Sequence, residues 1–532
     1  MLAQAPSIAP FRNEPIRTFR EPAERESLAA AIAQEQALFG TWYPLVIGEA
    51  RITTRAVIES RNPARPDQVV GRVSSARAED AREAIDVAAR TFETWGHVPA
   101  MRRATVLFRA AELVRARRDT FNALLMLEVG KTRIEADGDT AEAIDFLEFY
   151  GREALRYDAP PPLIPVSGER NVLRYLPLGV GIVIPPWNFA FAIMAGMTAA
   201  ALVTGNTVVL KPSSDSPVIA ARFVDLLLES GLPPGVVNFV PGSGREVGDL
   251  LVADPRTRFI AFTGSKDVGL HINELAAKTQ PGQRWIKRVI AEMGGKDAIV
   301  IAADADVNAA ADAVAASAFG FSGQKCSACS RAIVEDAVHD RFVDALLARV
   351  ATFRVGDPLE ADTMVGPVIN EAARRTIEQY IEIGRSEGRL IAGGERVTGD
   401  GYLVAPAILD DVDSQARIAQ EEIFGPVLAI VRARDFDHAI EIANDTEFGL
   451  TGAVFSSDPR KLAQAADSFF VGNLYFNRKC TGALVGAHPF GGFNMSGTDS
   501  KAGGSDYLLL FLQAKAIAAK VSDADRADGE AF

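Results

Sequence analysis

The sequence predicts an α/β protein built from two wound domains and a small projecting β arm. Three observations carry this: strands that are apolar along their whole length, a helix after each of them, and two stretches unlike their flanks. Between Leu178 and Ala277 the chain reads GVGIVIP, NTVVLKP, VVNFVPG and RFIAFTG, each run followed by a helical segment. Strands apolar at every position are buried on both faces, which is the signature of parallel strands covered by helices. This is the doubly wound pattern of a nucleotide-binding domain. A second α/β series starts near Asp297 with AIVIAA, continues through a helix after Val307 and the strand SRAIVED, and reaches a long helix at His339–Phe353. It reads as a separate domain.

The 532 residues exceed what one hydrophobic core holds, so more than one domain is expected. Upstream, Glu24–Phe39, Ala78–Thr94 and Arg102–Arg118 carry helical periodicity. The segment Tyr157–Tyr175 (YDAPPPLIPVSGERNVLRY) is rich in proline and extended, and Tyr507–Lys520 is apolar and strand-like at its start. Both are expected in an arm that pairs with another subunit, because a free apolar strand is otherwise an aggregation edge. The tail from Asp523 is expected to fray.

A net charge of −13 argues against nucleic acid as a partner, since phosphate binding needs clustered Lys and Arg. Three cysteines, Cys326, Cys329 and Cys480, are too few for a disulfide scaffold and fit a reducing cytoplasm. The N-terminus lacks the apolar core of a secretory signal. The longest apolar run, Phe189–Val203, is short for a membrane span and reads as a buried helix. With neither paired CxxC motifs nor HExxH, no metal site is expected.

Cys326, in GFSGQKCSACSR, lies between a helical run and a strand among small residues. A free cysteine is more often buried filler than nucleophile, and Cys329 is equally plausible by composition. A cysteine hydrolase recruiting one of the five histidines through space stays open. Glu292, in AEMGGKD, ends an apolar strand where a carboxylate faces a crevice, and it suits a base that activates water. Asn188 follows VIPPW at a strand-to-helix turn, where it caps the helix or offers its amide N–H to an oxyanion. The run Gly242–Gly248 is one residue too long for a dinucleotide fingerprint, and Gly264-Ser265 opens a helix able to take a pyrophosphate.

Together, PWN (186–188), FTGS (262–265), EMGGKD (292–297), GQKC (323–326), EEIFGPV (421–427) and PFGGF (489–493) with Ser496-Gly497 resemble the aldehyde dehydrogenase superfamily in order and spacing. The resemblance runs from about Tyr43 to Lys520. Within it, PFRNEPIRTF, AEAIDFLEFY, KCSACSR and GNLYFNRKCTGALVGAHPFGGF are similar to the 1-pyrroline-5-carboxylate dehydrogenase group.

The resemblance implies an aldehyde dehydrogenase fold. A Rossmann-like NAD(P)-binding domain would span 1–154 and 177–290, a catalytic domain 291–485, and an oligomerisation arm 155–176 and 498–522. It implies Cys326 as nucleophile, Glu292 as the base that hydrolyses the thioester, and Asn188 with the Cys326 N–H as oxyanion hole. A helix N-terminus and the cofactor are expected to activate the thiol without a histidine. The implied cofactor contacts are Ile184, Pro185, Pro186, Trp187, Lys211, Ser214, Gly244, Gly248, Gly264, Ser265, Gly294, Glu422 and Phe424. Glu422 would hold the nicotinamide ribose and Lys211 the adenine ribose. The cofactor the resemblance implies is NAD. Ser214 stands where many members carry Glu, with Asp215 next to it, so NADP is expected to be accepted too.

The implied substrate contacts are Glu142 at the amino end, Ser327, Gly482 and Ala483 around the α-carboxylate, and Phe189 and Phe490 along the chain. Residue pattern alone would leave Glu142 on a solvated helix face. The implied reaction is oxidation of L-glutamate γ-semialdehyde to L-glutamate by a homo-oligomer that binds neither nucleic acid nor membrane. The alternatives are an aldehyde dehydrogenase of other specificity, an acylating one that passes the thioester to coenzyme A, and a non-enzymatic protein on the same scaffold.

Overall fold

The computed structural model describes residues 8–395 and 397–521. The expected frayed tail from Asp523, the last residue of the expected arm and the first seven residues lie outside them.

Two seven-stranded sheets dominate. The first runs in the spatial order Arg288–Glu292, Thr257–Thr263, Val180–Ile184, Thr207–Leu210, Val237–Phe239, Leu45–Ile47 and Ala50–Ile52. Its first five strands are parallel, and the last two add antiparallel. Alternate residues of one strand feed opposite cores: Phe259 and Ala261 pack with the helices of one face, Ile260 and Phe262 with those of the other. That is why these strands are apolar at successive positions rather than alternating.

The chain steps outward from Val180–Ile184 through the next two strands, then returns to place Thr257–Thr263 on the opposite side of Val180–Ile184. This is a topological switch point, and the crevice outside its carboxyl ends is where doubly wound sheets bind ligands. The segments 185–188 and 264–265 stand at those ends.

The second sheet runs Arg389–Ala392, Ala407–Asp410, Val427–Ala433, Cys329–Glu335, Asp297–Ile301, Thr451–Phe455 and Asn473–Phe476, parallel except for its first pair. Glu292 ends a strand of the first sheet and Asp297 starts one of the second, with Met293–Lys296 joining them. Carboxyl ends of one sheet are thereby linked to amino ends of the other.

Several sequence expectations need correction in extent. Residues Arg102–Arg118 are not one helix: Ala100–Ala116 ends and Arg118–Val129 begins across Arg117. Helix Arg133–Asp158 takes in Tyr157, so the extended segment starts later than expected. Tyr507–Phe511 is a 3₁₀ turn rather than a strand. Tyr507, Leu508 and Phe511 are buried in the first domain's core, and Tyr507 stacks on Tyr150 at 5.4 Å. Three large side chains on one short turn have more to gain from that core than from an extended edge. Residues 498–511 are therefore packed in rather than part of an arm. The projecting ribbon pairs Leu512–Lys520, mostly exposed, antiparallel with Glu169–Pro177, mostly half-buried, over nine residues. The expected boundary after residue 290 falls inside the strand Arg288–Glu292.

Candidate active site

Cys326 sits at the end of a strained connection. Helix Val307–Phe319 stops, and Phe321 and Ser322 take left-handed φ of 51° and 56°. Such backbone persists only where neighbours over-determine it. Here Ser322 Oγ donates to Gly366 O at 2.7 Å, and Gln324 Oε1 accepts from Ile369 N at 2.8 Å. A Cβ on Gly323 would meet Gly425 O at 2.2 Å, so only glycine fits.

Asn188 joins this clamp, donating from Nδ2 to Gln324 O at 3.0 Å, two residues before the cysteine. It does not cap a helix: the following helix, Ala192–Val203, has Phe191 as its N-cap. One amide hydrogen of Asn188 is thus used for orientation, and the other remains to be donated. The Cys326 N–H has no acceptor among the described residues.

No helix begins at Cys326, contrary to the expectation of a helix N-terminus there; the residue lies in a turn before the strand Cys329–Glu335. Burial pushes its thiol up, with the carboxylates of Asp297, Glu422 and Glu292 adding to the effect.

Glu292 is nearly buried, at 9% exposure. Its Oε1 accepts from Ser500 Oγ at 2.5 Å and Ser500 N at 3.2 Å, and its Oε2 from Gly492 N at 3.1 Å. Burial outweighs these bonds and pushes the carboxyl up to about 7.

One cavity of about 110 Å³ has both Cys326 and Glu292 in its wall. The same wall carries Glu142, Phe189, Ser327, Gly482, Ala483 and Phe490. Glu142 is therefore not on a solvated helix face. Burial, then Asp139, pushes its carboxyl up to about 8.

In the loop that brings Gly482 and Ala483 to this wall, Arg478 donates to Thr481 O at 3.0 Å and Gly482 O at 3.1 Å. In a trans peptide the N–H points opposite to the C=O. Holding both carbonyls from one side therefore turns the Gly482 and Ala483 N–H groups to the other, and neither donates within the described chain. Two free N–H groups beside the Ser327 hydroxyl can hold a carboxylate. A thiol and a raised carboxyl share one cavity wall with an acid and a pair of free N–H donors, a set of groups that suits a short amphoteric aldehyde.

The aldehyde dehydrogenase family model matches residues 51–517, nearly nine-tenths of the chain. The chain belongs to the aldehyde dehydrogenase family. It is 56% identical over 510 residues to the 1-pyrroline-5-carboxylate dehydrogenase of Geobacillus thermodenitrificans (strain NG80-2), covering 96% of this chain and 99% of that one. The solved 1-pyrroline-5-carboxylate dehydrogenase from Thermus with bound NAD superposes with a TM-score of 0.95 at 48% identity, covering 97% of this chain and 100% of that one. Betaine aldehyde dehydrogenase from Staphylococcus aureus, in complex with NAD+, reaches a TM-score of 0.87 at 30% identity, covering 93% and 97%.

In this aldehyde dehydrogenase the residues expected to hold the cofactor gather around the switch-point crevice. Ile184 ends its strand, and Pro185–Trp187 follow. Trp187 stands edge-on to Phe321 at 6.3 Å and to Phe424 at 5.6 Å. Lys211 is 8% exposed and has no ion-pair partner among the described residues. Its side chain runs past Gly248, where a Cβ would lie 3.6 Å from Lys211 Cε. Ser265 is the N-cap of helix Lys266–Ala277 with no side-chain cap, and the N–H groups of Lys266, Asp267 and Val268 are unpaired.

A buried ammonium without a counterion and an open helix N-terminus both fit a ligand rich in phosphate and hydroxyl oxygens. Glu422 accepts from Gly295 N at 3.0 Å, and burial pushes it up to about 7. A Cβ on Gly294 would meet the Glu422 carboxylate at 2.1 Å, so Gly294 makes room for that side chain. Gly264 donates its N–H to Glu292 O at 3.1 Å and has none to spare. Gly244 opens a short π-helical turn, Gly244–Gly248, capped by Ser243. Ser214 is exposed, and Asp215 accepts from Asn370 Nδ2 at 3.1 Å.

Sequence reasoning missed the residues that hold the site. Ser500 and Gly492 lie about two hundred positions from the Glu292 they grip. Lys131 is fully buried, 2.9 Å from Asp139, with Nζ 4.1 Å from the Phe189 ring and 4.8 Å from the Phe321 ring. Asp139 also accepts from Ala192 N at 2.7 Å, tying the Glu142 helix to the turn after Asn188. Arg478 lies in a segment that the resemblance pointed to, and only the folded loop gives it a task. Among the described residues, the one group spaced to hold a metal is His339, Asp410 and Asp411. There His339 Nε2 and Arg389 already bond Asp410.

Proposed function

We propose that this aldehyde dehydrogenase oxidises L-glutamate γ-semialdehyde, the open form of 1-pyrroline-5-carboxylate, to L-glutamate with reduction of NAD(P), completing the breakdown of proline. The observation that carries the reading is the single cavity whose wall joins Cys326 and Glu292 to Glu142, a partner for an ammonium, and to the Gly482 and Ala483 N–H groups, partners for a carboxylate.

The Cys326 thiolate adds to the aldehyde carbon, because the thiol itself is a poor nucleophile. The resulting oxyanion is received by the second Asn188 amide hydrogen and the Cys326 N–H. When bound, oxidised NAD(P) would supply the acceptor for the hydride that leaves the thiohemiacetal carbon as the thioester forms. Trp187, Lys211, Gly248, Ser265, Glu422 and Phe424 would hold the cofactor. Glu292 then takes a proton from water as the oxygen adds to the thioester, and Cys326 leaves with glutamate released. The proposed domains are those expected from the resemblance, with the first boundary moved to the Met293–Lys296 link and the arm cut to residues 169–177 and 512–520, and with the crevice between their sheets as the reaction site.

The ribbon of residues 169–177 and 512–520 is two-stranded with Leu512 its one buried residue, too small to be stable by itself. We propose that it docks on a second copy, so the protein works as a homo-oligomer, in the cytoplasm. No helix among the described residues is long and apolar enough to cross a membrane.

The direct test is NADH formation across a panel of aldehydes. Glutamate γ-semialdehyde should have the highest kcat/KM, and equal use of pentanal would overturn the substrate assignment.

Glu142→Ala should raise KM about tenfold for glutamate γ-semialdehyde and also for 4-aminobutanal, which keeps the amino group and lacks the α-carboxylate. The estimate is the loss of one charge-assisted bond. Because Glu142 titrates near 8, the wild-type KM should fall as pH rises toward 8 and the carboxylate form becomes available to the ammonium. That dependence should vanish in the variant. A pH-independent wild-type KM would argue against the contact.

NADP should be accepted beside NAD, with NAD favoured. Ser214 carries no charge against a 2′-phosphate, Lys211 is a cation with no ion-pair partner among the described residues, and Asp215 is engaged by Asn370. Ser214→Glu should lower kcat/KM for NADP about tenfold more than for NAD, as expected for one added like charge near a phosphate. An unchanged ratio would place the adenine ribose elsewhere.

A further inference from the structure

The loop that carries Gly482 and Ala483 is pinned from a second side, by a histidine. Leu484 N donates to His488 Nδ1 at 3.2 Å, while His488 N donates to Leu484 O at 2.8 Å. A ring nitrogen that accepts an N–H carries no proton, so the proton of this neutral imidazole is on Nε2. Nε2–H has no acceptor among the described residues. The ring is partly buried, stands edge-on to Tyr475 at 5.9 Å, and lines the same cavity as Gly482 and Ala483. One short loop therefore brings three residues with an unpaired N–H donor each, Gly482, Ala483 and His488, to the same cavity wall.

We propose that His488 is a specificity-determining residue, its Nε2–H donating to the α-carboxylate of the amino-acid semialdehyde together with the Gly482 and Ala483 N–H groups. The inference rests on the substrate reading above and adds the group that makes the carboxylate end selective. Nδ1 fixes the tautomer and Nε2 reads the ligand.

The test uses the ratio of kcat/KM for glutamate γ-semialdehyde to that for 4-aminobutanal, in the full-length enzyme. His488→Gln and His488→Glu can both accept the Leu484 N–H, but only Gln still offers a donor. His488→Gln should keep the ratio within about threefold of wild type. His488→Glu and His488→Leu should each lower it about tenfold or more, as expected for loss of a hydrogen bond to a charged group. The turnover of 4-aminobutanal reports in each variant that the protein is folded and loaded. A wild-type ratio retained by His488→Glu and His488→Leu would overturn the contact, as would a ratio for His488→Gln as low as for His488→Leu. A wild-type ratio near one would overturn the substrate reading itself, before any variant is made.

Discussion

Replacing Cys326 by alanine is expected to lower aldehyde oxidation by about 10⁴-fold or more, the scale seen when a covalent nucleophile is removed. NAD binding should survive, because the residues proposed to hold the cofactor lie on other segments. Cys329→Ala should retain most activity. Cys329 is 1% exposed in the strand behind the turn, and its Sγ points to Arg331 O at 3.4 Å. Its loss should cost about 1 kcal/mol of stability through a small cavity. The two variants are compared by initial rates of NADH formation and by cofactor affinity. Equal loss in both would remove the assignment of one nucleophile.

Replacing Glu292 by glutamine should slow the steady state by about 10²- to 10⁴-fold, the usual worth of a positioned base. A single-turnover burst of NADH should remain. The amide cannot take the proton of water, so a thioester should accumulate on Cys326 and be detectable by mass spectrometry. The pH dependence follows from burial. Only the carboxylate form of Glu292 can act as base, and that group titrates near 7. Below that pH it carries its proton and hydrolysis is slow; as pH rises through 7 the rate should climb to a plateau. Glu292→Gln should lose this limb. The amide nitrogen facing Gly492 N–H would leave two donors opposed, so its thermal midpoint should be measured in parallel. Absence of both burst and adduct in a folded variant would mean that Glu292 acts before acylation.

The parallel strands were legible because burial on both faces demands apolar residues at successive positions, as in Phe259–Phe262. The turn at Tyr507–Phe511 was misread for the opposite reason: an apolar run looks the same whether it becomes a strand or a short turn pressed into a core. Asn188 was readable as a polar residue at a strand end, but its partner, Gln324 O, lies 136 residues away. Glu142 was the least legible. On a helix of mixed charge, its pattern is that of a solvent face, and only the neighbouring elements close a cavity over it.

By itself the sequence determined the strand-helix alternation, the start of a second α/β series near Asp297, and the residue types able to do thioester chemistry, because these depend on local periodicity and on side chains present at given positions. Tertiary structure decided the charge state of those groups and the geometry that makes them act together. Burial raises Glu292 toward 7 and Glu142 toward 8, and it holds the Cys326 thiol up. Arg478 turns two peptide groups so that their N–H donors are left free. Desolvation and peptide orientation are properties of what surrounds a residue, and those surroundings come from segments hundreds of positions apart.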